Sequence, residues 1–250
     1  MTTTALITGA NKGIGFEVAR GLAVRGATVL VGARDEGRGR AATEKLTAEG
    51  FDARFVHLDV TDSGSIDRAA AWIGAEFAAL DVLVNNAGIT GELEGDGKAS
   101  ATTLANLRKV YETNVFGVVA VTNALLPLLR AAPAARIVNV ASEVGSLTLT
   151  TDPESPFAAL GAIPYPSSKT ALTMITTLYA KEFAGTPIKV NAANPGYTAT
   201  DLNGHTGFRT PAQGAEPIVW LATLPADGPN GKHWGHRWGD TEHEYGELPW

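Results

Sequence analysis

Short apolar runs alternate with longer segments of helical period along most of this chain. The runs at 5–8, 28–31, 54–58, 81–84, 136–140 and 188–192 have strand length. Most are continuously apolar or β-branched rather than alternating with polar residues. Between them, Phe16, Val18, Ala19 and Leu22 begin a helical stripe that stops at Arg25-Gly26. Further helices are predicted at 36–49, from Asp62 or Ser63 to 77, at 103–131, at 166–183 and from Thr210-Pro211 to 223. A last strand is expected around 232–238, followed by an acidic, aromatic tail. Continuously apolar strands separated by helices predict a parallel sheet buried on both faces. Right-handed crossovers make this an α/β, doubly wound sheet of about seven strands, and ligands then bind beyond the strands' carboxyl ends.

The unusual segments fall at those ends: 9–15, 34–38, 59–60, 85–88, 142 and 195–201. One extended ligand crossing one edge of the sheet accounts for all of them. In the first segment, glycines at 9, 13 and 15 join a strand to a helix N-terminus, where free N–H groups and the positive helix end attract an anion. Glycine permits the sharp turn and lets a pyrophosphate approach where a Cβ would collide. Tyr165 and Lys169 stand four apart, on one face of a predicted helix. A nearby ammonium favours a phenolate and draws a phenol's pKa toward the working range. The same spacing also fits an aromatic packed on a helix beside a solvated lysine. Ser142 ends a strand, and Asn114 sits in an apolar helix where an amide needs partners.

Thr8-Gly9-x-x-x-Gly13-Ile14-Gly15, Asn85-Asn86-Ala87-Gly88, Asn114, Ser142, Tyr165-x-x-x-Lys169 and Asn194-Pro195-Gly196 occur in this order. Together they resemble the short-chain dehydrogenase/reductase family over essentially the whole chain. Asn11-Lys12 in the glycine turn and Ala33-Arg34-Asp35 before Arg38-Gly39 are similar to its carbonyl-reductase branch. The resemblance implies a single Rossmann-like domain over 1–250, binding NADP(H) and reducing the carbonyl of a small molecule: an aldehyde, ketone or quinone. It implies Tyr165 as general acid, Ser142 as donor to the carbonyl oxygen, Lys169 on the nicotinamide ribose and Asn114 anchoring a proton-relay water. Gly9, Asn11, Lys12, Gly13, Ile14 and Gly15 would meet the phosphates, Asp59 and Val60 the adenine, and Asn86, Ala87 and Gly88 the cleft wall. Pro195, Gly196, Thr198 and Thr200 would flank the nicotinamide, and residues 197–214 would form a substrate lid with Tyr197, His205 and Phe208 on its wall. Where NAD enzymes place an acid at the end of the second strand, this chain has Arg34. Lys12 and Arg38 are expected to join Arg34 around a ribose 2′-phosphate.

Two departures from the family pattern stand out. Ala141 occupies the place of the first family serine, and 148–163 lengthens the interval between Ser142 and Tyr165. That insertion is expected to cover a helix face used in family tetramers, favouring a monomer or homodimer. The other function classes weighed are a catalytically silent NADP-binding regulator, which would be expected to lose Tyr165 or Lys169, and a nucleotide-sugar epimerase, for whose substrate domain there is no room. A hydrolase would need a Gly-x-Ser-x-Gly elbow.

Charge and composition narrow the partners. A net charge of −6 over 250 residues argues against nucleic acid. The most membrane-like run, 115–129, carries Thr122, Asn123 and Pro127 and reads as a buried helix. With no cysteine and no leader ahead of the first strand, a cytoplasmic location is expected. His233, His236 and His243 invite a metal reading, but strand alternation separates the first two and no second ligand pair is present, so no metal is expected.

Overall fold

The computed structural model describes residues 3–239 and 245–250. Its centre is β1 (Thr4–Thr8), buried along its whole length. On one side lie β2 (Thr28–Ala33) and then β3 (Ala53–His57). On the other lie β4 (Val82–Asn85), β5 (Arg136–Val140), β6 (Lys189–Asn194) and β7 (His233–Gly235). Leu6 pairs with Leu30 on one neighbour and Leu83 on the other, and every pairing from β3 to β7 is parallel. The chain reverses direction across the sheet between β1 and β4, which opens a crevice there at the carboxyl ends.

Period-two alternation sends neighbouring residues to opposite faces. Ala5, Ile7, Val29, Val31, Val84 and Val138 meet α1 (Gly13–Ala23), α2 (Glu36–Ala48) and α8 (Pro211–Ala222) through residues such as Leu22, Leu46 and Ile218. Leu6, Leu30, Leu83, Ile137 and Val190 meet the opposite layer. That layer is α3 (Ser63–Glu76), α5 (Gly117–Ala131) and α7 (Pro164–Glu182). Asp62, not Ser63, caps α3 by accepting from the Gly64 amide at 2.9 Å. Thr210 and Gln213 form a reciprocal capping box on α8, with Pro211 at its start.

The expected 103–131 helix is interrupted. Thr103 caps α4 (Leu104–Tyr111), a π-helical turn follows at Glu112–Phe116, and α5 continues the rod. This rod is long and apolar enough to cross a bilayer, but Val118, Val121, Leu125 and Leu129 face the core instead. The expected loop after β5 contains a 3-10 turn at Glu143–Gly145 and a short helix, α6 (Leu147–Thr151). Phe116, Met174 and Leu178, on the helices expected at a tetramer face, are exposed.

Among the described residues the sheet has eight strands, one beyond the seven or so expected. The addition is β8 (Gly246–Glu247), antiparallel to β7, two residues whose sequence carries no strand periodicity. The edge strand β3 also departs from the buried pattern: only Val56 is buried, because no strand covers its outer side.

Candidate active site

The glycine turn is built as its spacing demands, with one change of reason. Gly9 and Gly13 have φ of +64° and +57°, a region costly for residues with a Cβ. Gly15 is required by the protein's own packing. A Cβ there would lie 2.4 Å from Asn86 Nδ2 and 2.8 Å from the Gly9 carbonyl oxygen. Asn86 donates through Nδ2 to the Thr8 carbonyl at 2.8 Å, while the Thr8 hydroxyl accepts from the Asn86 and Ala87 amides at 3.0 Å each. The 85–88 segment is thereby tied to the end of β1. Lys12, the residue before α1, caps none of the helix's amides with its side chain, and the first turn carries no acidic residue. The N-terminal field of α1 is left for an anion.

Asn85 turns inward. Its Nδ2 donates to Asn139 Oδ1 at 2.8 Å and Thr122 Oγ1 at 3.1 Å, and Asn139 donates on to Thr176 Oγ1 at 2.9 Å. This buried chain fastens β4 and β5 to α5 and α7 below the crevice. Asn139 carried no signal in the sequence, since a single Asn in an apolar strand does not reveal its partners.

A cleft of about 1110 Å³ runs over the carboxyl ends. Arg34, Asp59 and Val60 border one end, and Tyr165, Lys169 and Pro195 the other. Gly9, Asn11, Lys12, Gly13, Ile14, Gly15, Asn86, Ala87 and Gly88 line the stretch between. From the 197–214 segment, Ala199, Thr200, Asp201, Leu202, His205 and Phe208 form a wall, and Tyr197 stands behind them, packed on Phe208 and Trp238. The cleft's volume and its glycine-lined waist leave room for an extended dinucleotide. Buried Arg209 and the Glu92–Lys109 ion pair, 3.0 Å, also border it and were not foreseen. None of the three belongs to a motif or a periodic pattern.

Tyr165 and Lys169 lie in the first turns of α7, as the spacing requires. The Tyr165 hydroxyl lies within interaction distance of the Ser142 side chain. Lys169 Nζ donates to the Val140 carbonyl at 2.7 Å and stands 5.4 Å from the centroid of the Tyr165 ring. The expected pull of the ammonium on the phenol is outweighed by burial. Low dielectric pushes Tyr165 up to about 12, opposed in part by Ser142, and pushes Lys169 down to about 8. The ammonium faces the ring rather than pairing with its oxygen, so burial shifts both groups toward their neutral forms, and Lys169 stays cationic below about 8.

Asn114 lies inside the π-helical turn. Its Oδ1 accepts from the Ile89 amide and its Nδ2 donates to the Ile89 carbonyl, both at 2.9 Å, and Nδ2 also donates to Ser168 Oγ at 3.0 Å. Ser168 in turn donates to the Tyr165 carbonyl at 2.7 Å. Asn114 thus joins the loop segment beyond Gly88 to the helix carrying Tyr165 and Lys169. The π turn swings this amide toward α7, and such turns concentrate at functional sites.

Several expected contacts are placed differently. Arg38 does not border the cleft; it pairs with Asp35 at 2.9 Å, three residues back on the same helix turn. Of the three cations expected around the ribose phosphate, Lys12 and Arg34 border the cleft. Arg34 lies close enough to Asp35 and Asp59 to lower both carboxyls, although the first influence on Asp35 is the Arg38 amide and burial opposes the shift in Asp59. The Thr198 hydroxyl is buried and bonded to the Pro195 carbonyl at 3.1 Å, while Gly196, φ +68°, makes room for Arg209 and His236. Asn194 holds the base of this segment, accepting from the Gly196 amide and donating to the His236 carbonyl.

The tail histidines pack rather than converge. His233 stacks on Trp250 at 5.7 Å and is pushed down to about 4 by burial; His236 meets Tyr245 edge-on. His243 lies outside the described residues. Among the described residues, no cluster of three metal-ligating side chains occurs.

Residues 3–208 match the family model for short chain dehydrogenase. Short-chain dehydrogenase anuI of Penicillium roqueforti is 38% identical over 224 residues, covering 87% of each chain. Carbonyl reductase [NADPH] 1 of Bos taurus is 35% identical over 268 residues, covering 91% of this chain and 94% of its own. Among solved structures, NADPH-bound carbonyl reductase from chicken fatty liver superposes with a TM-score of 0.83 at 27% identity, covering 100% of this chain and 99% of that one.

Proposed function

The chain belongs to the short-chain dehydrogenase/reductase family, and on that premise we propose that it is an NADPH-dependent carbonyl reductase using Tyr165 as general acid. It is an oxidoreductase of CH–OH and C=O groups, and its cofactor is NADP(H). The observation that carries the finer reading is the Tyr165–Lys169 pair, with Ser142 beside Tyr165, at one end of a cleft whose far end holds Arg34.

When bound, the cofactor supplies a hydride to the carbonyl carbon. The glycine turn and the α1 N-terminus would hold its phosphates, Arg34 and Lys12 the 2′-phosphate, and Lys169 the nicotinamide ribose. A phenol raised to about 12 keeps its proton at neutral pH, so Tyr165 is poised to donate rather than to accept. Ser142 donates toward the oxygen on which negative charge develops, an interaction worth most in the transition state. Lys169, cationic below about 8, adds positive charge beside the ring that loses the proton. Asn114 and Ser168 hold α7 against the 86–89 segment, so the acid and the cofactor wall keep one spacing. We take 1–250 as one catalytic unit, with 197–214 as its substrate lid.

The test is NADPH consumption with a panel of dicarbonyls, quinones and cyclic ketones, for the wild type and Tyr165→Phe. The variant should lose about 10²- to 10⁴-fold in rate while NADP⁺ affinity stays within a few-fold. A variant retaining more than about a tenth of the rate would remove Tyr165 from the acid's role.

A further inference from the structure

Two of the residues that border the cleft at its waist are bonded to each other across it. Lys12 Nζ, from the glycine turn, pairs with Asp201 Oδ2 in the lid segment, 189 positions away in sequence. The other oxygen, Asp201 Oδ1, is 2.7 Å from His205 Nε2. The Thr200 methyl is 3.6 Å from where a Cβ on Gly13 would stand, so lid and glycine turn touch at this point. The Asp201 carboxyl is held below its ordinary range by Lys12 first and His205 second. His205 holds φ of +61° to reach it, unusual for a residue with a side chain.

We propose that Asp201 is a specificity-determining residue that competes with the cofactor's 2′-phosphate for Lys12. This rests on the NADPH reading above. The Lys12–Asp201 pair straps the lid to the glycine turn over the path from Arg34 to Tyr165. A cofactor carrying a 2′-phosphate offers Lys12 a dianionic partner and takes it from Asp201, which keeps His205. A cofactor lacking that phosphate offers no such exchange and leaves the strap closed. Asp201 therefore opposes NADPH binding selectively, and its exchange for phosphate couples recognition at the adenosine end to the freedom of the lid at the nicotinamide end.

Both partners are about half exposed, so the competition is modest: about two- to fivefold in affinity, the range of an exposed ion pair. The experiment is calorimetric titration of wild type, Asp201→Asn, Lys12→Met and the double variant with NADP⁺ and NAD⁺, at low and high salt. Asp201→Asn should tighten NADP⁺ two- to fivefold, leave NAD⁺ unchanged and lose the gain at high salt. In the Lys12→Met background the same substitution should have no effect on NADP⁺. Equal tightening of both cofactors would assign Asp201 a general repulsion of the pyrophosphate and overturn the proposal. No change for either cofactor, or an unchanged effect without Lys12, overturns it too. A wild type that binds NAD⁺ as tightly as NADP⁺ refutes the cofactor reading itself, whatever the variants do.

Discussion

Gly15→Ala isolates what the glycine turn does for the protein from what it does for a ligand. The new methyl would lie 2.4 Å from Asn86 Nδ2 and 2.8 Å from the Gly9 carbonyl oxygen. The carbonyl belongs to the turn's backbone and cannot swing away, so Asn86 must leave or α1 must shift. Overpacking of this kind costs roughly 1–3 kcal/mol. Displacing Asn86 also removes its bonds to the Thr8 and Gly9 carbonyls, 2.8 and 3.3 Å, at about 0.5–1.5 kcal/mol each. The alanine returns about 0.5–1 kcal/mol through helix propensity. The net loss is about 1–5.5 kcal/mol, which for a domain of this size lowers Tm by roughly 2–22 °C. Gly74→Ala is the matched control: it sits within α3 and its added methyl meets nothing closer than 3.8 Å. That variant should be neutral or gain up to about 1 kcal/mol. Thermal unfolding of both, with NADP⁺ titrated against each, makes the comparison. A Gly15→Ala protein melting within about 2 °C of wild type, or one that melts normally but loses cofactor, would show that Gly15 serves the ligand and not the Asn86 tie.

The remaining expectations concern charge. Arg34→Ala should weaken NADP⁺ roughly 10- to 150-fold through loss of one charge-assisted contact, whereas Arg38→Ala, whose charge is spent on Asp35, should cost no more than about fivefold; equal losses in a titration of the two variants would restore Arg38 to the site. For the pH profile, Lys169 is cationic below about 8 and neutral above, while Tyr165 keeps its proton to about 12. Carbonyl reduction should therefore be flat from about pH 6 to 7.5 and fall as pH rises through about 8, a limb seen in kcat/KM, which reports the free enzyme; a profile level to pH 10 would dissociate Lys169 from catalysis.

The sequence made the cleft legible where chemistry and backbone geometry coincide. Gly9 and Gly13 announce positive φ, Tyr165 and Lys169 announce a shared helix face, and Arg34 stands at a position fixed by the strand it ends. Side-chain pairing was less legible. Nothing in Arg38 itself reveals that Asp35 claims it; the helix register that brings the two together at 2.9 Å is a three-dimensional fact. The π turn around Asn114 has the composition of an ordinary apolar helix, so the period alone extends through it unbroken. Burial of the Tyr165–Lys169 pair reversed the expected direction of the phenol's pKa, because spacing places two groups side by side without saying how much water surrounds them. β8 is held by the pairing of Trp234 with Glu247, a partner no local pattern specifies.

Many of the residues that identify the cleft face the protein. Asn85, Asn86, Asn114 and Asn194 spend their amides on Asn139, Thr8, Ile89 and His236, tying together loops that leave different strands. Loops at the end of a parallel sheet have no ladder to hold them, and their backbone groups must find other partners. An asparagine side chain supplies a donor and an acceptor on a short stem, enough to bond a carbonyl and an amide of the next loop at once, as Asn114 does with Ile89. The consequence is a division of labour. Changing these amides should alter stability and cofactor affinity together, because the wall and the fastening are one object. Changing Tyr165 should alter the rate with affinity nearly preserved, because its hydroxyl lies beside Ser142, whose role is on the same oxygen. The rigidity that makes a cleft able to hold two reactants at one spacing is thus carried by side chains whose amides bond the protein itself.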